Sequence, residues 1–466
     1  MSSVKTYVII AAVVAIIAIA AAAILLTNNG GGNEKEDDTS VDSYSSSPVL
    51  WIRGNSDGDK DIDADDVRVI NAVIKAGGKA GAYPWCDANN DGVIDGKDAS
   101  AVQSMIDGKA TTLYYKNIDG EIRSFTVRDG VNIVAVNKCQ AEDVLIVINK
   151  DPKSKIVGGD QQVKKYNNEV ALNFGTDPSK GEVLVTGTSN GEVQAEVVST
   201  LIKTYGHVEI CLGSAGSYGK NLENDFGKNP DVSIVRLPSW EEGTLSGVMT
   251  YGYLFGGVQK NSCWQQAEKY YDWYMSYYEP IVEEVAKIAD KDKPKILTVY
   301  VENCYPGATN KVLSKTSGDY ERSIECGGNN VGDYFGTGYV AFTPEDMAAC
   351  QKTRGLDMII VEPSGIYGEG GEQAVKDAVQ LGIDQVKGYV NENTAIYSLS
   401  FMVTAGPGCP ASFVFFAKTF YPDNAVFKNF DTDKAFQEYL SLIGWADRSD
   451  VSKICSYGPG YPAGSS

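Results

Sequence analysis

The chain has 466 residues, with 41 lysines and arginines against 61 aspartates and glutamates, and a formal net charge of −20. At about 150 residues per domain this length allows two or three folded units. A hydrophobic share of 43% supplies cores and excludes a wholly disordered chain. The negative charge excludes non-specific nucleic-acid binding, since phosphates are repelled. The single histidine, His207, excludes a histidine-rich zinc site and is interpreted as structural.

An apolar run opens the chain. Residues 7–26 carry no charge, and as a helix they would span about 30 Å, the thickness of the bilayer hydrocarbon core. Lys5 precedes the run and acids follow it from Glu34, so the positive-inside rule predicts that residues 1–27 anchor an extracytoplasmic body in the cell membrane. A cleaved signal peptide is the alternative, because the run is rich in alanine. Residues 28–48 predict a flexible linker.

The chain has nine cysteines, which is an odd number, so at least one thiol has no partner within the monomer. Their wide spacing, without a CxxC pair, leaves two alternatives open. They are buried reduced thiols, or they form two or three disulfides in an oxidising compartment.

Two segments have the spacing of a calcium loop. Oxygen-bearing side chains occupy loop positions 1, 3, 5, 9 and 12, and position 7 supplies a backbone carbonyl. In the second loop these residues are Asp87, Asn89, Asp91, Val93, Asp95 and Asp98. In the first loop they are Asn55, Asp57, Asp59, Asp61, Asp63 and Asp66. An amphipathic helix follows each loop, so we expect two calcium ions.

The second loop is the more certain of the two. It has Gly92 at position 6, where the chain must turn with positive φ. Lys60 occupies that position in the first loop, which predicts backbone strain there and adds a positive charge.

Two loop-plus-helix units with aspartate at position 12 resemble a type I dockerin over residues 49–109. The resemblance implies a calcium-folded module that binds a cohesin on another protein. Loop positions 10 and 11 set partner choice in that family. Here they are Ala64-Asp65 and Gly96-Lys97, not the common Ser-Thr pair, so the cohesin remains open. A calcium-rigidified spacer without a partner is the alternative.

The remaining chain predicts an α/β fold. A hairpin turning at Asp119-Gly120 comes first. Short β-branched runs then alternate with helical stretches, which indicates buried parallel strands. The predicted strands are 144–148, 155–157, 183–186, 208–211, 232–237, 296–301, 356–361 and 395–401. The predicted helices are 192–205, 345–353, 372–381 and 433–443.

The fold class is therefore α/β with two doubly wound lobes joined by one long helix. A small all-α dockerin module with two calcium loops and an N-terminal transmembrane helix precede the lobes. The first lobe covers residues 110–260 and the second lobe, with the C-terminal tail, residues 294–466. Residues 261–293 hold the joining helix, with a kink possible at Pro280.

Several segments of this α/β part resemble class III substrate-binding proteins of ABC importers. They are KIVGGD (155–160), VSIVRLPSW (232–240), LSGVMTYGYLFG (245–256), IECGGNNVGDYF (324–335) and TPEDMAACQKTRGLDMIIVEP (343–363). The resemblance covers roughly residues 111–450. It implies a receptor that captures an iron chelate, haem or corrinoid and delivers it to a permease.

Site residues follow from the same resemblance and from the rule that ligands of open α/β sheets bind outside the carboxyl ends of strands. The aromatic candidates for stacking on a large ligand are Tyr218, Trp240, Tyr251, Tyr305 and Tyr334. One acidic residue per lobe docks the permease in that family, and by motif these are Glu192 and Glu345. The alternative is that both acids only stabilise a helix N-terminus, where a negative side chain interacts favourably with the helix dipole. Arg236 is interpreted as a strand-end surface arginine, with contact to an anionic ligand group as the alternative.

No catalytic motif occurs, so we expect a binding protein and not an enzyme. The sequence has no nucleophile elbow, phosphate loop or histidine–cysteine metal cluster. A dockerin often travels with hydrolases, so a cohesin-bound hydrolase is a weaker alternative. The other alternative is a cell-surface assembly protein whose lobes are a scaffold or bind a different ligand.

Overall fold

The computed structural model describes most of the chain from residue 41 onward and divides it into two compact units, Met1–Lys109 and Ala110–Ser466. The described residues are 41–148, 151–165, 172–213, 217–240, 243–256, 262–301, 310–363, 380, 383–384, 386–388, 390–399, 403, 406–444 and 456–457. The predicted membrane segment, Tyr305 and most of the helix predicted over 372–381 lie outside them. Within the described residues no helix has the length and apolarity to cross a bilayer.

The first unit is built on two helices, α1 (Ala64–Lys75) and α2 (Gly96–Ile106). Each begins with a reciprocal capping box, in which the N-cap aspartate and the aspartate three residues later accept each other's backbone N–H groups. A small apolar core lies between the helices and the segments before them: Leu50, Ile52, Val69, Ile70, Val73, Trp85, Val102 and Met105. The aspartates at the ends of the two predicted calcium loops therefore also cap the helices.

The first lobe of the second unit has a β-hairpin and a six-stranded parallel sheet. The hairpin strands are β1 (Thr112–Lys116) and β2 (Ile122–Thr126). The sheet strands are β3 (Asn132–Val136), β4 (Lys155–Gly159), β5 (Phe174–Gly175), β6 (Val183–Val185), β7 (Val208–Leu212) and β8 (Val232–Arg236). Their order is β5-β6-β4-β3-β7-β8. After β3 the chain adds β4, β5 and β6 on one side of β3, and then adds β7 and β8 on its other side. The strand order therefore reverses between β3 and β7.

Within the described residues of this lobe, five helices accompany the sheet. They are α3 (Lys138–Ile148), α4 (Gln161–Lys165), α5 (Ala195–Tyr205), α6 (Ser217–Phe226) and α7 (Thr244–Gly256). The lobe core contains Val134, Val136, Val157, Leu201, Ile210 and Leu212.

The strand predicted over 144–148 is wrong, because these residues form the end of α3. That helix is buried around almost its whole circumference, so it has no polar face and its apolar run has no helical period. The central strand β3 has no counterpart among the predicted strands. It lies directly after the hairpin, and its five buried residues continue that apolar pattern.

The second lobe has a seven-stranded mixed sheet. Its strands are β9 (Lys295–Val301), β10 (Asn310–Leu313), β11 (Asn329–Asn330), β12 (Tyr339–Ala341), β13 (Met358–Pro363), β14 (Ala395–Leu399) and β15 (Ser456–Tyr457). The order is β12-β10-β9-β13-β14-β15, and β11 also pairs with β9. The strands β9, β13 and β14 are parallel, and the chain reverses its progress between β9 and β13. The described helices of this lobe are α9 (Gly318–Glu325), α10 (Pro344–Arg354), α11 (Pro410–Phe420) and α12 (Thr432–Leu442).

The predicted long helix joins the lobes as α8 (Ser262–Val285), with Pro280 inside it. Its 24 residues correspond to about 36 Å. It packs on α3 and α7 of the first lobe and on α11 of the second. The sequence therefore located this helix, although it ends several residues before the predicted end.

Arg236 is buried, which corrects its interpretation as a surface arginine. Its side chain is 0% exposed, and Nη2 lies 2.6 Å from Asp119 while Nε lies 2.9 Å from Glu223. These contacts tie the hairpin turn and α6 to the end of β8. An anionic ligand would have to displace two carboxylates from Arg236, so this residue is structural.

Replacing Arg236 tests this network. We expect Arg236→Met to lower the free energy of unfolding by about 3 kcal/mol, because the substitution removes the buried partner of two carboxylates. The matched control is Arg123→Met, which removes a half-exposed arginine paired with the same Glu223 and should cost at most about 1 kcal/mol. Denaturant unfolding followed by tryptophan fluorescence measures both, and equal losses would contradict a special role for Arg236.

Candidate functional site

The reversal between β3 and β7 marks the binding crevice of the first lobe. Ligands of open parallel sheets bind outside the carboxyl ends of the two strands at such a point. Asn137 directly follows β3 with a φ of 78°, and α3 then begins at Lys138. The Lys138 Nζ atom lies 3.1 Å from Glu142, and both side chains are buried. The crevice of this lobe therefore holds a buried, paired positive charge.

Polar side chains of α3 continue this crevice toward α7. The Gln140 amide donates to Asp143 at 3.0 Å and to the Tyr251 hydroxyl at 3.1 Å. Burial raises the pKa of Glu142 and raises that of Asp143 well above its ordinary value. Burial therefore favours the neutral form of Asp143, which would act as a hydrogen-bonding group without charge.

The corresponding point of the second lobe lies between β9 and β13. Tyr300 and Glu362 are direct neighbours there on these two strands, one residue before each strand ends. The Tyr300 ring meets the Tyr339 ring of β12 edge to face, with centroids 5.6 Å apart. Tyr339 is 48% exposed, whereas Glu362 is buried. Partial burial and the nearby carboxylates of Asp319 and Glu362 raise the pKa of Tyr339.

Two contacts join segments that follow first-lobe strands to the second lobe. Arg322 of α9 donates through Nη2 to the Trp240 carbonyl oxygen at 2.6 Å, and Trp240 follows β8 of the first lobe. Residues Gly406–Gly408, which follow β14, contact α3. Arg322 is itself buried and lies 3.0 Å from Asp319. The two crevices therefore border one junction between the lobes.

Tyr300 and Tyr339 are absent from the residues predicted from sequence. Neither lies in a glycine-rich loop, since both belong to strands. Their approach depends on the pairing of β10 with both β9 and β12, which spans about forty residues of chain. The one available signal was the position of Tyr300 next to the last residue of a predicted strand.

The five predicted aromatic residues have different surroundings. Trp240 is half-buried at the junction of the lobes, and Tyr334 is partly exposed beside Phe335. Tyr251 is fully buried inside α7, and its hydroxyl donates to the Val235 carbonyl oxygen, so its ring has no face open to a ligand in this structure. Tyr218 belongs to α6, but its side chain lies outside the described residues, as does Tyr305.

The two acids predicted for docking also differ. Glu345 is exposed at the second position of α10. Glu192 lies three residues before α5, and its carboxylate accepts hydrogen bonds from the hydroxyls and backbone N–H groups of Thr188 and Ser189 and, at 2.8 Å, from the Gln194 amide. These bonds, from Gln194 and Thr188 above all, lower the pKa of Glu192 to about 2. The exposed second residue of α5 is Glu196, which therefore matches Glu345 in position.

The two predicted calcium loops of the first unit are closed by their last aspartates. Asp66 accepts the backbone N–H groups of Ser56 at 2.6 Å and Asp63 at 2.9 Å. Asp98 accepts those of Asn89 at 3.2 Å and Asp95 at 2.8 Å. The last aspartate thus closes both loops with the same pair of backbone hydrogen bonds, at loop positions 9 and 2 or 3.

The strain expected at Lys60 is absent. The first loop takes its positive φ at Gly58, at 80°, two positions earlier. The second loop has positive φ at Asn90, at 58°, as well as at Gly92, at 85°. Lys60 has no positive φ, so the first loop has no conformational penalty at position 6.

The donor atoms of both loops fit calcium. In the first loop, carboxylate oxygens of Asp57, Asp63 and Asp65 lie within 4.8 Å of one another. Burial, together with repulsion among these carboxylates, raises the pKa of Asp57 to about 6 and that of Asp59 to about 7. In the second loop, Asp87 Oδ1 is buried without a hydrogen-bond partner. A divalent cation would relieve both conditions.

The seven cysteines within the described residues are all buried and unpaired: Cys86, Cys139, Cys211, Cys263, Cys326, Cys350 and Cys409. Burial raises the pKa of several of them, including Cys211 and Cys326. In the described part of the chain the cysteines are therefore buried reduced thiols, the first of the two alternatives given above, and not disulfides.

Comparison with known proteins finds solved structures with a similar architecture. No family model and no curated protein matches the chain. The TroA-like periplasmic binding protein FepB from Veillonella parvula is similar with a TM-score of 0.50 at 15% identity, over 71% of this chain and 95% of that protein. The chain has the fold of this periplasmic binding protein. The two-lobed α/β arrangement predicted from sequence is thereby confirmed.

Two further solved structures are similar at lower TM-scores. A periplasmic solute-binding protein from Veillonella parvula DSM 2008 has a TM-score of 0.47 at 15% identity, covering 74% of this chain and 97% of that protein. The periplasmic haem-binding protein HutB of Vibrio cholerae has a TM-score of 0.40 at 17% identity, covering 63% and 99%.

Proposed function

We propose that this protein is an extracytoplasmic substrate-binding receptor of an ABC importer, which captures an iron chelate or haem and delivers it to a permease. The observation that carries the proposal is the junction of two opposed strand-end crevices in a two-lobed fold joined by one long helix. That fold is shared with a TroA-like periplasmic binding protein. The N-terminal apolar segment would tether the receptor to the membrane.

The chemistry of the second-lobe crevice favours a ferric ligand over a corrinoid. Tyr300, Tyr339 and Glu362 offer phenol and carboxylate oxygens, which are hard donors suited to ferric iron. The nearby carboxylates of Asp319 and Glu362 would add attraction for a ferric ion, which would displace the phenol proton of Tyr339 on binding. Trp240 lies at the junction of the lobes against Arg322 and would contact the flat or chelating part of the ligand.

The exposed N-terminal acids of α5 and α10 support permease docking. Glu196 and Glu345 occupy the same helical position in the two lobes and are free of the dense hydrogen bonding that surrounds Glu192. We therefore assign docking to Glu196 and Glu345, each facing a permease arginine. Glu192 instead shapes the loop that leads into α5.

The calcium unit over residues 49–109 would attach the receptor to a cohesin-bearing protein. Asp57, Asp63 and Asp66 would hold an ion in the first loop, and Asp87, Asp95 and Asp98 in the second. Calcium neutralises these carboxylates and thereby fixes the loops against α1 and α2. A receptor held in a surface complex near its permease would have a high local concentration.

Ligand binding by the full-length protein in detergent tests the receptor function. We expect haemin or a ferric hydroxamate to bind one-to-one with a sub-micromolar Kd, and cyanocobalamin to bind more weakly. Tyr339→Phe should weaken the ferric ligand by about tenfold and remove the phenolate-to-iron absorption band. Intrinsic fluorescence, native mass spectrometry and visible spectroscopy provide the readouts.

The matched control is Tyr205→Phe, which removes a hydroxyl bonded to the Pro178 carbonyl in the first lobe. It should leave ligand affinity and the absorption band unchanged. A folded wild-type protein that binds none of the three compounds would contradict the receptor function and favour the cell-surface assembly protein.

Charge reversal tests the docking residues. We expect Glu196→Lys and Glu345→Lys each to lower ligand-dependent uptake by about tenfold, since each replaces an attraction for permease arginines by repulsion. Ligand affinity should be unchanged in both variants. Glu192→Lys serves as the comparison in the same lobe. Uptake that falls only in Glu192→Lys would contradict the assignment and restore Glu192 as the docking acid.

A further inference from the structure

The two calcium loops carry different charge. We propose that the first loop is the tighter calcium site and that Arg53 both pre-forms and weakens the second. The proposal rests on the calcium role proposed above for residues 49–109. It reverses the order expected from the loop sequences, in which the second loop is the more certain.

Arg53 acts on the first ligand of the second loop. Its Nη1 atom lies 3.5 Å from Asp87 Oδ2, and the two side chains are only 11% and 5% exposed. Arg53 also donates to the Pro84 carbonyl oxygen, which fixes the guanidinium in place. A charge pair that is removed from solvent in this way is screened little by salt or water. Arg53 therefore supplies, without any ion, part of the positive charge that calcium would bring.

The remaining oxygen of Asp87 points to an ion. Asp87 Oδ2 also accepts the Gly92 N–H at 3.2 Å, so the carboxylate faces the loop. Asp87 Oδ1 is buried and has no hydrogen-bond partner, a condition that costs free energy unless a donor or cation completes it. Asp87 would thus be shared, with one oxygen on Arg53 and one on calcium. A shared ligand holds the ion less strongly than a carboxylate without a counter-ion.

Loop position 11 reinforces the difference. In the second loop Lys97 Nζ lies 3.5 Å from Asp95 and 3.7 Å from Asp91. In the first loop the same position is Asp65, which belongs to the cluster with Asp57 and Asp63 and also pairs with Arg68 on the surface. Lys97 is 72% exposed, so its effect is small compared with that of buried Arg53.

The net charge of the loops follows the same order. Each loop has four aspartates at its side-chain ligand positions, but the first loop has two more, Asp61 and Asp65, so it holds six aspartates against four in the second. The extra negative charge close to the ion strengthens its attraction for calcium. Lys60 imposes no positive φ on the first loop, so no strain offsets its larger charge. We therefore expect two-step loading, in which the first loop fills at low calcium and the second at higher calcium.

Calorimetric titration of the full-length, chelator-treated protein with CaCl₂ tests the order. The wild type should show two sites whose Kd values differ by at least about tenfold. Asp66→Ala should remove the tight phase and Asp98→Ala the weak one. Arg53→Met should tighten the weak phase by about tenfold, because it removes a positive charge close to the ion.

Arg68→Met is the matched control, since it removes an exposed arginine of the same unit and should leave the weak phase unchanged. If Arg53→Met destabilises the unit, Lys97→Met offers a second test on an exposed residue. It should also tighten the weak phase, but by less than Arg53→Met. Loss of the tight phase in Asp98→Ala, or an unchanged weak phase in both Arg53→Met and Lys97→Met, would overturn the proposal. Absence of calcium binding in the folded wild type would instead overturn the calcium role itself.

Discussion

The burial of helix α8 against both lobes is the contact on which the rest of the receptor unit depends. Tyr270, inside the helix, donates to the Pro407 carbonyl oxygen at 2.9 Å, while Trp273 and Tyr277 both donate to Glu438 of α12. The opposite contacts of α8 are with α3 and α7 in the first lobe. Because hydrogen bonds and aromatic packing fix the helix on the second lobe, the two crevices keep one relative position. Such a frame favours ligand capture with small closure of the lobes.

Two buried ion pairs border the junction of the lobes. Lys138 with Glu142 belongs to the first lobe, and Arg322 with Asp319 belongs to the second. A buried pair adds little net stability, but the loss of one partner is costly, so such pairs fix geometry more than they stabilise the fold. Tyr339 is half-exposed beside this buried set. A ligand can therefore approach its phenol without displacing an ion pair.

The sequence predicted what depends on local pattern. The strands that begin at Lys155, Val183, Val208 and Val232 are β-branched runs, and the structure has a strand at each. Helix α3 was predicted in part as a strand because its burial removes the periodic signal. The sequence placed Glu192 at the start of a helix over 192–205, whereas α5 begins three residues later at Ala195.

Features that depend on distant pairing could not be read from local pattern. Tyr339 joins Tyr300 only through β10, and Arg236 meets Asp119 across more than a hundred residues. In the calcium unit the ligand spacing was visible in the sequence. The ion pair between Arg53 and Asp87 required the fold, because the two residues are 34 positions apart.

Hydrogen–deuterium exchange of the full-length protein, with and without the ferric ligand that binds it, tests most directly whether one ligand is held between the two lobes. The account predicts slower exchange at the start of α3, around Lys138–Glu142, and at β12 in the same sample. Backbone amides of α1 in the calcium unit should not change. Protection confined to one lobe, or appearing in α1, would contradict the account.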